Sequence, residues 1–234
     1  MKKRLLIVVS TILVMMLVFT GCGGSGLGSE KLNVDTDEIQ LQKPEKGDKV
    51  AVVETSEGTI KFLLFEEYAP KAVFNFITLA ENGYYDGTVF HRTIADFCVQ
   101  GGSPDGTATG GTSCWGLEFE DEFSDHLHHY SGAVSMANHG DDTNGSQFFF
   151  VTSPIADLKD SVRDAMRDNG WREDVVDAYV DAGGLPQLDY RYTVFGQIYE
   201  GLNVAYKISR SETDENDRPV KDVVVESVTI ETIE

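Results

Sequence analysis

The sequence predicts an all-β domain of barrel or sandwich type, interrupted by a helical insertion. Two observations point there. Short apolar runs bounded by glycine turns recur at 88–92, 97–100, 133–136, 148–151 and 192–197, too short and too frequent for a helical or parallel α/β protein. Between the last two of these, residues 157–182 switch to helical periodicity. Their first half ends at Asn169-Gly170. Their second half gathers Val175, Val176, Tyr179 and Val180 on one face and stops at Gly183-Gly184 before Pro186.

The other elements follow in order. Residues 50–54 read as a strand, Ser56-Glu57-Gly58 is a turn, and residues 59–65 form a second strand. Pro70 suits the first turn of a helix, because its fixed φ fits there and its missing N–H is not needed. Val73, Phe76, Ile77 and Ala80 then fall on one face, and Gly83 ends the helix. A second short amphipathic helix is expected over 203–210, and a last strand over 220–233.

The N-terminus has the pattern of a targeting segment. Lys2-Lys3-Arg4 is followed by an uncharged, mostly apolar stretch from Leu5 to Phe19, then Phe19-Thr20-Gly21-Cys22. This is similar to the lipobox of bacterial lipoproteins, whose cysteine is acylated as the signal is cleaved. The expected organisation is a signal peptide over 1–21, a flexible Gly-, Ser- and acid-rich tether over 22–48, and a folded domain over 49–234 with its insertion at about 155–186. The implied location is the outer side of the cell membrane, with the anchor, palmitate for example, on Cys22.

The formal net charge is −20. No acidic residue precedes residue 22, and three of the 19 Lys and Arg do, so the remainder carries −23. Such a surface repels phosphate backbones and argues against nucleic acid as a partner. Beyond Cys22 only Cys98 and Cys114 remain, too few for a disulfide framework and wrongly spaced for zinc; whether they pair is left open. His126, His128 and His129 lie in an acidic stretch without further ligands at useful spacing and read as a solvated loop.

Three stretches carry the chemistry. They are Val89-Phe90-His91-Arg92-Thr93-Ile94-Ala95-Asp96-Phe97-Cys98-Val99-Gln100-Gly101-Gly102; Gly132-Ala133-Val134-Ser135-Met136-Ala137-Asn138 with Thr143-Asn144-Gly145-Ser146-Gln147-Phe148-Phe149; and Leu188-Asp189 with Tyr192-Thr193-Val194-Phe195-Gly196. In this order and spacing they resemble the cyclophilin-type peptidyl-prolyl cis-trans isomerases. The resemblance spans residues 49–234 apart from the insertion. It implies an eight-stranded antiparallel closed β-barrel capped by two α-helices, with the active groove on the barrel's outer face.

The resemblance also implies roles. Arg92 matches the catalytic arginine. Phe97, Cys98, Gln100, Ala137, Asn138, Gln147, Phe149, Leu188 and Tyr192 match the residues that bind the substrate peptide. Phe97, Phe149 and Leu188 would seat the proline ring. Asn138 and Gln147 would hold the peptide backbone, and Gln100 would orient Arg92. The residue types suit the reaction. Rotation about a peptide bond is opposed by about 18–20 kcal/mol of resonance. The twisted state gains a lone pair on the proline nitrogen, which a positioned donor favours, and arginine offers five donors in a fixed fork and stays charged. No bond is made or cleaved, so no nucleophile, metal or cofactor is needed. The expected partners are proline-containing polypeptides exported from the cell, and the protein is expected to act as a monomer. The alternative is a proline-peptide binding module or scaffold with little turnover. Against the common family pattern, Gln187 stands where many members have tryptophan, Tyr192 where many have histidine, Cys98 where many have methionine, and His139 follows the Ala-Asn pair. His91 should face away from Arg92, since strand side chains alternate.

Overall fold

The structure, a computed structural model, describes residues 38–154 and 160–234. The signal-like segment, Cys22 and the tether as far as residue 37 lie outside the described residues, as does the start of the insertion.

Eight strands form one antiparallel sheet: β1 (Lys49–Thr55), β2 (Gly58–Leu64), β3 (Arg92–Ile94), β4 (Cys98–Gly101), β5 (Ala133–Met136), β6 (Phe148–Val151), β7 (Val194–Glu200) and β8 (Val225–Thr232). Their order is β3-β4-β6-β5-β7-β2-β1-β8. Among the described residues, four α-helices accompany them: α1 (Pro70–Glu81), α2 (Asp160–Asp168), α3 (Glu173–Ala182) and α4 (Leu202–Ser209), with short 3₁₀ turns at Ile39–Leu41 and Pro186–Leu188.

The expected closed ladder is corrected in one respect. β3 and β8 are the edges of a curled sheet and are not paired as strands. The segments leading into them are joined instead: Gly87 N donates to Val225 O, Val225 N to Thr88 O and Phe90 N to Val223 O, at 2.8–3.0 Å. The last strand starts at Val225, not Val220. Val220 belongs to a preceding turn, where its N–H donates to Glu212 O and Thr213 bridges Pro219.

Alternation divides the sheet into two faces. The inner face carries Ala51, Val53, Ile60, Phe62, Val99, Val134, Met136, Phe148, Phe150 and Phe195, and α1 and α4 cover it through Val73, Phe76, Ala205 and Ile208. Phe62 meets Phe76 edge-on at 5.4 Å and Phe150 at 6.0 Å, arrangements that add to simple area burial. No side chain of the N-cap residue Ala69 caps α1. Glu122 does so from a distant loop, its carboxylate accepting from the N–H groups of Lys71 and Ala72 at 2.9–3.1 Å. A carboxylate there satisfies open donors and complements the helix dipole.

The tether differs from expectation at its described end, whereas the described part of the insertion is helical as expected. Glu38, Gln40 and Leu41 are buried, with Ile39 exposed between them. Gln40 is fully buried; its Nε2 donates to His128 O (2.7 Å) and Gln197 Oε1 (2.9 Å), and its Oε1 accepts from His128 N (2.7 Å). Glu38 is paired with Arg172 at 2.8 Å. The insertion helices build a third cluster in which Met166, Val175, Val176 and Tyr179 cover Leu41 and Tyr130. Gly184 closes the insertion against the 129–130 segment beside the sheet. With φ at +130°, it lies so near that segment that a Cβ would fall 2.3 Å from His129 O.

Candidate active site

The register of the sheet brings the candidate residues into one row. Arg92 pairs with Gln100, Gln100 with Phe149, Phe149 with Ser135, and Ser135 with Val194. Directly opposed residues share a face, so these side chains line the outer surface of five adjacent strands. Arg92 and Phe149 are two strands apart, about 10 Å between backbones. Cys98, Phe149 and Val194 join Phe97, Ala137, Leu188 and Tyr192 in one outer apolar cluster. The Tyr192 ring stands edge-on to Phe149 at 5.5 Å and 89°.

The Arg92 side chain is 38 % exposed. Its Nε lies 3.7 Å from Asp217 Oδ2, and its Nη1 is 4.0 Å from Cys98 Sγ. These contacts aim the guanidinium without using its full set of donors. Burial pushes the Cys98 thiol up to about 11 against the opposing Arg92 charge, so it is neutral at ordinary pH. Cys98 and Cys114 are both free thiols, which closes the question of their pairing.

The hydrogen bonds revise two expected roles, those of Gln100 and Gln147. Gln100 turns to Gln147, not to Arg92: its Nε2 donates to Gln147 Oε1 at 2.9 Å. Gln147 Nε2 donates in turn to Gly110 O (2.7 Å) and Ala108 O (3.0 Å), so this amide shapes the 107–111 loop. Asn138 Nδ2 donates to Asp121 Oδ1 (3.2 Å) and Arg191 O (3.0 Å), leaving Oδ1 as its side chain's group for a ligand. Ala137 N donates to Gln147 O, which sets the rim of a cleft of about 450 Å³ lined by Gln100, Gly110, Ala137, Asn138 and Gln147. His139 stands at this cleft, paired with Glu118 at 3.3 Å. Gln187 is exposed.

The histidines are also corrected. His128 and His129 are buried, not solvated, because both turn their rings onto Asp189. His128 Nδ1 lies 2.7 Å from Asp189 Oδ2 and His129 Nδ1 lies 2.7 Å from Oδ1. Among the described residues, no group of three or more His, Cys, Asp or Glu could hold a metal. Burial raises the pKa of Asp189, but the hydrogen bonds from His128 and His129 outweigh it and leave the carboxyl below the usual range. His91 is buried, but it is not isolated from Arg92: burial first, then the Arg218 and Arg92 charges, push its pKa down. Sequence reasoning missed Asp217, Asp121 and Asp189 as partners of the site. Asp189 stood inside a motif already singled out; the other two carry no local signal.

A half-exposed guanidinium beside an apolar groove is a surface suited to a peptide, and the Ser135–His129–Asp189 row behind it is buried, out of a peptide's reach. The comparisons with known proteins give this peptide-binding class its family. The family model described as "Cyclophilin type peptidyl-prolyl cis-trans isomerase/CLD" matches residues 50–230. A Staphylococcus epidermidis protein named "Putative peptidyl-prolyl cis-trans isomerase" is 45% identical over 197 residues, 84% of this chain and 99% of that one. A Staphylococcus aureus protein of the same name is 46% identical over 193 residues, covering 82% and 97%. A crystal structure of a Cryptosporidium parvum cyclophilin type isomerase superposes with a TM-score of 0.64 at 30% identity, over 80% of this chain and 99% of that one. The same protein, solved in the presence of the dipeptide Ala-Pro, gives a TM-score of 0.63 over 78% and 99%. The chain belongs to the cyclophilin-type peptidyl-prolyl cis-trans isomerases and is an enzyme of that activity.

Proposed function

We propose that Arg92 is the catalytic residue and that the outer cluster seats the proline. The proline ring rests against Phe97, Phe149, Leu188 and Tyr192. Cys98 completes the wall below Arg92, and Ala137 and Asn138 take the peptide backbone. Gln100 and Gln147 act as a pair that holds the neighbouring loop. The guanidinium donates to the proline nitrogen as it becomes pyramidal, so the twisted bond is favoured over either planar form. The observation that carries this reading is the row Arg92–Gln100–Phe149, which faces a charged fork toward an aromatic seat about two strands away. The relative solved in the presence of Ala-Pro supports a proline peptide as the ligand. The bridging bonds between 87–90 and 223–225 support a functionally closed barrel, whose rigidity keeps that row in place.

The enzyme works on exported polypeptides outside the cytoplasm, as a monomer held to the membrane by acylated Cys22 and the tether. The support is the run of basic, apolar and small residues ending at Cys22. A protease-coupled assay with an Ala–Pro peptide tests the site. Arg92→Ala should lower kcat/KM by roughly 10²–10³. Arg92→Lys, which keeps the charge but not the fork, should lose less. An Arg92→Ala enzyme turning over like wild type would defeat the assignment.

A further inference from the structure

Phe149 is not supported by core side chains alone. The His129 ring lies beneath it, centroid to centroid 6.0 Å and only 14° from parallel, and meets the Tyr192 ring at 6.3 Å and 76°. His129 is 1% exposed, so it does not touch a substrate. Its plane is held at both ends. Nδ1 lies 2.7 Å from Asp189 Oδ1, and Nε2 lies 3.0 Å from Ser135 Oγ, whose hydroxyl donates onward to Thr193 O at 2.9 Å. The His129 backbone N–H donates to Asp189 Oδ1 as well (2.8 Å). Asp189 is held in turn by the insertion: Tyr179 OH on α3 donates to its Oδ2 at 2.9 Å.

We propose that His129 is a positioning residue for the proline seat. It fixes the tilt of Phe149, and α3 holds it in place through Tyr179 and Asp189. The inference rests on the assignment of Phe149 to the seat. Two rings in contact reduce each other's freedom, and an aromatic pair adds its own stabilisation. A seat whose wall is fixed before the peptide arrives does not lose that freedom on binding. The expected signature is therefore a change in peptide affinity with little change in the chemical step, which belongs to Arg92. The insertion then has a role at a distance, because its tyrosine sets the carboxylate that sets the ring.

The test measures KM and kcat separately on Ala–Pro peptide for wild type, His129→Ala, His129→Phe, Tyr179→Phe and Arg92→Ala, with near-ultraviolet circular dichroism for each. His129→Ala and His129→Phe lose the same two ring hydrogen bonds, but only the alanine variant loses the stacked face. His129→Ala should raise KM by roughly 2–10-fold with kcat changed less than twofold. His129→Phe should raise KM by less than half as much. Tyr179→Phe keeps its ring and loses only the hydroxyl; it should raise KM measurably, and it carries the test if the His129 variants do not fold. Wild-type KM in folded His129→Ala or in Tyr179→Phe, equal shifts in the two His129 variants, or a loss confined to kcat would overturn the inference. The Arg92→Ala arm separates this from failure of the site itself, which would show as undiminished turnover in that variant.

Discussion

Deleting the insertion is the sharpest test of how this domain is built. Read as sequence, residues 157–182 carry their own apolar face, and a short glycine linker from Ser153 to Leu185 should leave the barrel intact. The structure argues otherwise. Tyr130 and Leu41, buried under Val176 and Tyr179, would both be uncovered. Full exposure of each costs about 1.5–3 kcal/mol. Asp189 would lose the Tyr179 hydroxyl, a bond to a charged group contributing about 1.5–3 kcal/mol. Shortening the connection from about thirty residues to about five returns about 1.5 kcal/mol of chain entropy. The net loss is then about 3–7 kcal/mol, comparable with the whole stability of many domains, about 5–15 kcal/mol. For a domain of this size it lowers Tm by roughly 6–28 °C. Differential scanning calorimetry on wild type and deletion, with chemical denaturation as a second probe, reads the effect. A deletion variant melting within about 2 °C of wild type would refute the reasoning and return the insertion to the status of an appendage.

Further outcomes follow from the same structure. Arg92→Ala should change stability by no more than about 1 kcal/mol, since its ion pair with Asp217 is long and partly exposed, so its rate defect can be measured in a folded enzyme. Turnover should be nearly flat from about pH 6 to 9: the Cys98 thiol, raised to about 11, stays neutral there, and arginine side chains stay charged. A bell-shaped profile would instead require an acid and a base. Stability should fall as pH drops below about 6.5. There the unfolded chain protonates His91 while burial and the nearby arginines keep the folded residue neutral, so the unfolded state binds more protons. His91→Gln should flatten that limb of a Tm-against-pH curve, and an unchanged slope would exclude His91 as its source. Mass spectrometry of the native N-terminus should find an acylated Cys22; a soluble chain with an unmodified N-terminus elsewhere would exclude the anchor.

Much of this protein was legible in the one-dimensional pattern because the relevant forces are local. Short apolar runs and turn glycines located most of the strands, and the 3.6-residue period with Pro70 and Gly83 located α1, because those signals arise within a few residues of the chain. The motifs around Arg92, Asn138, Gln147 and Tyr192 were enough to indicate the family and its reaction. The partners of those residues were not legible, because the sheet joins positions far apart in the chain. Asp217 reaches Arg92, Asp121 reaches Asn138, and Gln147 holds the 107–111 loop only after five strands have come into register. Glu122 caps a helix some fifty residues before it.

The same distinction explains the histidines. Beside Asp125, with no further ligands near, His128 and His129 read as a wet loop. In the fold, Asp189 arrives from sixty residues away and accepts from both rings, so their burial is no longer costly. The strap at 38–41 is the clearest case. These residues fall within the stretch read as a tether over 22–48 and give no local sign of packing, yet Gln40 finds His128 and Gln197 in a buried gap. Periodicity and short motifs are written in neighbouring residues, so they announce most of the strands and helices and, through the motifs, the family and its reaction. Which polar groups are satisfied emerges only in three dimensions, because a buried hydrogen bond needs a partner whose position depends on the whole sheet.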